Sequence, residues 1–136
     1  MSAEDLSGEA YEAGLKVRRS VLGDPYVDSM VGDEDPLARE FQRFLTEHAW
    51  GAVWTRPGLD RRSRSLITLT ALVARGATEE LAHHFRGALR NGLTKAELIE
   101  LLMHCAVYCS FPAALTAFRV ARKVFAEEDE AAKPRT

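Results

Sequence analysis

Apolar residues recur at three- and four-residue intervals along most of the chain, and no stretch alternates apolar and polar positions between turn signals. That pattern predicts an all-α protein of about six helices. The first spans Glu4 to Val21 and stops at Leu22-Gly23-Asp24-Pro25, where glycine and proline both favour a break. Asp35-Pro36 opens the second, as an N-cap followed by a proline whose missing N–H costs nothing there. Its apolar stripe is Leu37, Phe41, Phe44, Leu45 and His48, with Trp50 and Trp54 towards its end. Arg56-Pro57-Gly58 ends that element, and Asp60 caps a third helix reaching Ala74. Gly76 separates it from a fourth, capped by Thr78 and closed by Asn91-Gly92. Thr94 and Glu97 form a capping box for the fifth. Pro112 opens a sixth, whose small residues Ala114, Ala117 and Ala121 permit close helix approach beside Phe118 and Phe125. The domain is taken as residues 1–128, with 1–30 as a helical arm; from Glu127 the charge rises, and 129–136 reads as a flexible tail.

Composition changes the list of functions more than the list of folds. A chain of 136 residues fits one domain and excludes a two-domain dehydrogenase, a full α/β barrel and a kinase. Eighteen Lys and Arg against twenty Asp and Glu leave a net charge of -2, so no basic excess points to nucleic acid. The first residues carry Glu4, Asp5, Glu9 and Glu12 without an apolar run, unlike a signal peptide. Leu101 to Phe118 is long and nearly uncharged, but His104, Tyr108, Ser110 and Pro112 interrupt it. Two buried helices meeting at a turn explain it better than a membrane span. Cys105 and Cys109 are too few for a disulfide framework, and a cytoplasmic location is expected.

Candidate chemistry concentrates on the fourth helix. Leu81, Phe85, Ala88 and Leu89 form its apolar face, while Glu80, His84, Gly87 and Asn91 follow one flank; His83, Arg86 and Arg90 point away from that face. Glu80 lies one turn before His84, so its carboxylate is placed to orient the imidazole and raise its pKa. Gly87 leaves space beside them for a ligand. The same spacing also describes an ordinary packing pair, which is the commoner outcome for Glu and His on a helix. His48 and His104, isolated in apolar stretches, read as packing residues. The cysteines form no zinc set and read as small buried apolar residues. Arginines crowd the N-terminal half: Arg18, Arg19, Arg56, Arg61, Arg62 and Arg64. Guanidinium pairs bidentately with carboxylate, so one or two suit an acidic ligand; surface ion pairing is the alternative for each.

Longer segments carry a family resemblance. Tyr11-Glu12-Ala13-Gly14 and Val17 to Asp24 look like its N-terminal arm, and Glu47-His48-Ala49-Trp50-Gly51-Ala52-Val53-Trp54-Thr55-Arg56-Pro57-Gly58-Leu59 with Arg64-Ser65-Leu66 like its central signature. His84 to Thr94, Tyr108 and Pro112-Ala113-Ala114 complete the match. The chain thus resembles the 4-carboxymuconolactone (γ-carboxymuconolactone) decarboxylases of aromatic catabolism, within the wider alkylhydroperoxidase D-like superfamily.

The resemblance implies a helical subunit assembling into a homo-oligomeric ring, a trimer or hexamer. It implies cofactor-free loss of CO2 from 4-carboxymuconolactone to give 3-oxoadipate enol-lactone, in the protocatechuate branch of the β-ketoadipate pathway. No metal, nucleic acid or membrane partner is expected; the partner is a small acidic lactone. His84, held by Glu80, becomes the proton donor or oxyanion partner. Arg18, Arg19, Arg56 or Arg64 anchors the carboxylate, and Trp54 and Tyr108 shape an apolar wall. One departure is Ser110-Phe111 where the family usually has glycine. A left-handed serine there would cost roughly 1 kcal/mol, and Phe111 would narrow a neighbouring pocket. A paralogue acting on a related lactone, a thiol-dependent peroxidase-like protein and a non-catalytic helical oligomer are the competing readings.

Overall fold

The computed structural model describes residues 3–134, with side chains from residue 8 onward. Every regular element among them is helical: α1 (Ala3–Leu22), α2 (Asp24–Val31), α3 (Pro36–Leu45), a π-helical segment (Thr46–Trp54), α4 (Arg61–Arg75), α5 (Thr78–Arg90), α6 (Lys95–Tyr108) and α7 (Phe111–Ala132). None is long and apolar enough to cross a membrane. The helices form two compact units, Met1–Arg61 and Arg62–Thr136.

In the first unit the expected break at Gly23 lasts a single residue. Gly23 takes φ +90°, and α2 restarts at once with Asp24 and Pro25 in its first turn, where proline needs no N–H partner. Asp35 caps α3 as expected, its side chain accepting from the Leu37 N–H. The helix then runs without a stop into the π-helical segment, whose extra residue per turn re-aims every following side chain. This segment packs on α1, and Gly14 and Gly51 allow the two backbones to touch. Val17, Val21, Leu22, Val27 and Trp50 form the core. Of the α3 stripe only Leu45 packs against it: Leu37, Phe41 and Phe44 are 74%, 63% and 60% exposed. His48, expected to pack, is exposed against the Phe44 ring.

The second unit holds the larger core. Leu69 and Val73 of α4, Leu81 and Phe85 of α5, Leu98 and Leu102 of α6, and Ala117, Ala121 and Val124 of α7 are buried together. The alanines let α7 lie close on α5 and α6. The Thr94–Glu97 capping box is present, and Gly76 and Gly92 take φ +68° and +94° at the two turns of the α5 hairpin. Thr78 is not a cap: Ala77 holds that position, and its N–H closes on the Leu72 carbonyl instead. Of the stretch expected to form a tail, residues 129–132 continue α7 as helix, while 135–136 lie outside the described residues. Arg86 pairs with Glu127 and Glu128, and Lys95 with Asp129, tying α7 to α5 and α6. Ser110 has extended backbone (φ -167°), not left-handed, and its hydroxyl accepts from the Ala113 N–H at 3.0 Å as the α7 N-cap. The strain expected of serine at this turn is absent, and Phe111 stands exposed.

Candidate functional site

Within the first unit, the π-helical segment ends at Trp54, stacked on Trp50 with ring centroids 4.7 Å apart. Trp50 is buried and anchors the pair; Trp54 is half-buried and forms a wall of a cavity of about 680 Å³. Lys16, Arg56, Asp60 and Arg61 bring its charged groups, and Ser20 and Thr55 its hydroxyls. The Arg61 guanidinium donates to Ser20 Oγ at 3.0 Å, fixing its head against α1. Two of the residues expected to bind substrate, Trp54 and Arg56, therefore share one cavity.

Arg18 and Arg19 do not line it. Arg18 is 3% exposed, donating to Thr46 Oγ1 at 3.0 Å and Gln42 Oε1 at 2.8 Å. Burial pulls its pKa down, against the opposing fields of Tyr26 and Tyr11. Its Nε is buried without a hydrogen-bond partner. Arg19 pairs with Asp28 at 2.6 Å and Asp24 at 3.3 Å, and the Asp28 hydrogen bond leads in raising its pKa. Lys16 and Ser20 were missed in the sequence, although four residues apart on α1 they had to share a face.

In the second unit, His84 is half-buried on α5, with exposed Glu80 one turn before it and buried Gly87 after. His83 is half-buried too. Desolvation leads in lowering its pKa, followed by the charge on Arg86, while Glu80 and Glu79 oppose them. Arg86, off the apolar face, reaches across to α7. Arg64 is half-buried on α4, where Ser65 accepts from Asn91 Nδ2 at 2.9 Å. Tyr108 is 78% exposed and stacks on His104, itself exposed, at 4.8 Å.

A cavity of about 430 Å³ is lined by Leu66, Thr70, Leu93, Leu101, His104 and the carboxylates Glu97 and Glu100. Glu97 already pairs with Arg62. Cys105 is buried; burial pushes its thiol pKa up, partly offset by the Thr70 hydroxyl. That is opposite to the shift a thiol nucleophile needs. Cys109 is exposed rather than buried as expected. No cluster of metal-ligating side chains occurs among the described residues.

Residues 39–123 match the pattern of the carboxymuconolactone decarboxylase family. The chain belongs to that family. It is 43% identical over 117 residues to the 4-carboxymuconolactone decarboxylase of Acinetobacter baylyi, covering 86% of this chain and 87% of the relative. It is also 43% identical over 120 residues to the nitrosuccinic acid decarboxylase of Metarhizium robertsii, covering 88% and 84%. A 4-carboxymuconolactone decarboxylase of Pseudomonas putida matches at 44% over 43 residues, 32% of this chain and 90% of the relative. Membership places the chain among carboxy-lyases, and its helices agree with the fold the resemblance implied.

Proposed function

We propose that this chain decarboxylates 4-carboxymuconolactone to 3-oxoadipate enol-lactone and CO2. The observation that carries this reading is its 43% identity to the Acinetobacter baylyi enzyme across nearly the whole of both chains. In the reaction, the bond from the ring carbon to its carboxylate breaks and CO2 leaves. The electron pair passes through the ring double bond into the lactone carbonyl, and a proton then adds to carbon. The protein must stabilise charge on that oxygen and deliver the proton. His84 is the proposed proton donor, with Glu80 positioning it. A cation for the side-chain carboxylate comes from the arginine-rich first unit, where Arg56 lies beside Trp54. The subunit acts within an assembly of identical copies, a reading supported by the exposed Leu37, Phe41 and Phe44.

Equal identity to a nitrosuccinic acid decarboxylase supports a second reading, in which the substrate is a dicarboxylic acid with a nitro group as electron sink. Both substrates share one requirement: a carboxylate departs from a carbon whose electrons have somewhere to go. Supplying the purified protein separately with 4-carboxymuconolactone and nitrosuccinate, and measuring CO2 release from each, decides between them. Stoichiometric CO2 and enol-lactone from the lactone is the expected result. Release from nitrosuccinate alone replaces the first reading with the second.

A further inference from the structure

We infer that the cavity at the end of the π-helical segment is a carboxylate pocket, in which Lys16, Arg56 and Arg61 hold the carboxylate that the substrate keeps. This rests on the decarboxylase reading and adds to it the residues that bind the non-reacting end. Three cations and one carboxylate, Asp60, line this cavity. The cavity on α6 carries Glu97 and Glu100 instead. Another, between α5 and α7, balances Arg86 and Lys123 against Glu79 and Glu127, and a fourth is lined by apolar side chains, Thr- and charge-free. Of these four linings the first alone carries more cations than carboxylates, so a dianion is drawn to it.

Three local features suit this ligand. The volume, about 680 Å³, lies in the range of small-molecule sites. Trp54 supplies a flat apolar wall beside the cations, as a ring carrying a carboxylate arm requires. Arg61 is held by Ser20 on α1, which removes part of the rotational freedom a binding arginine would otherwise lose. The winding that delivers Trp54 here is π-helical, a geometry that recurs at functional sites.

The chemistry also says which carboxylate belongs here. Cations on the departing group would stabilise the charge that decarboxylation removes, raising the barrier. Cations on the retained group act equally on ground and transition states, so they set affinity without slowing the chemical step.

Succinate, which does not react, serves as the binding probe. In NMR titrations of the full chain it should shift the Trp54 indole resonance, assigned with Trp54→Phe. Lys16→Gln and Arg61→Gln should each weaken its binding about 10–100-fold, the loss expected for a hydrogen bond between charged groups. With whichever of the two substrates releases CO2, both variants should raise KM by a similar factor while kcat stays within about 3-fold. Circular dichroism checks their folding; exposed Lys16 carries the test if Arg61→Gln unfolds. Succinate shifts centred on His104, or unchanged succinate affinity in the folded variants, overturn the pocket. Succinate bound at Trp54 without CO2 release from either substrate overturns the decarboxylase reading and leaves the pocket standing.

Discussion

Gly14 of α1 and Gly51 of the π-helical segment meet backbone to backbone: a Cβ built on Gly14 would stand 2.8 Å from the Gly51 Cα. A Cβ on Gly51 would meet the Ala10 carbonyl, with its carbon at 2.9 Å. Neither neighbour is a side chain able to rotate away, so the helices themselves must separate. Gly51→Ala is expected to lower unfolding free energy by about 1–3 kcal/mol, the usual scale of overpacking. Gly8→Ala is the control, because nothing lies within 4 Å of its added methyl. That change should raise stability by about 0.5–1 kcal/mol through helix propensity. Urea unfolding of both variants measures the difference. Equal stability in the two would mean that the Gly14–Gly51 crossing does not constrain the fold.

Arg18 presents a separate test, since it is one of four arginines the resemblance offers for the substrate carboxylate while its guanidinium bonds Thr46 and Gln42 inside the first unit. A planar fork serves both acceptors; a lysine ammonium keeps the charge but not the geometry. Arg18→Lys should therefore cost about 1–3 kcal/mol of stability by leaving buried groups unmatched. A substrate anchor would behave in the opposite way, raising KM with the unfolding curve unchanged.

Much of this is legible in the sequence, because the signals are local. Asp35-Pro36 and Thr94 with Glu97 each start a helix, and Asn91-Gly92 ends one, through groups at most three residues apart, and all three occur as read. The exposed α3 stripe misled because periodicity identifies an apolar face without saying what covers it. Winding was harder still: Trp54 reaches its cavity through π-helical turns, and spacing at 3.6 residues per turn does not anticipate them. A left-handed cost at Ser110 follows only from the family's glycine; its extended backbone makes it a cap instead. Of the site, Trp54 and Arg56 were found by motif. Lys16 was missed because one lysine on an amphipathic helix resembles any solvated residue.

The Arg62–Glu97 pair has a consequence for acid stability. The Arg62 hydrogen bond, then the Thr94 N–H, hold the Glu97 carboxyl below its ordinary range in the folded chain. A depressed carboxyl contributes stability that is complete above the unfolded pKa, about 4.3, and disappears as pH falls through the folded value. Wild type should therefore lose stability below about pH 5 more steeply than Glu97→Gln, which has no proton to take up there. The two curves should run parallel from pH 6 to 8. Denaturant midpoints collected across both ranges test the sign; equal acid slopes would show that the pair is not formed in solution.

His84 and His83 adjoin on α5 but should respond differently to substitution. As proton donor, His84 should lose about 10²–10⁴-fold in kcat on replacement by Asn, with unfolding unchanged. His83→Asn should leave kcat within about 3-fold, since His83 lies one residue, and so about 100° around the helix, from the proposed flank. Burial and Arg86 also favour its neutral form, which has no proton to give from the imidazolium state. Glu80→Gln tests positioning. Removing a negative charge one turn away destabilises imidazolium, so the alkaline limb of the rate profile should move to lower pH. Conservative Glu80→Asp should recover part of that shift. A kcat for folded His84→Asn close to wild type would remove His84 from the chemistry, and an unmoved alkaline limb in Glu80→Gln would separate the two residues.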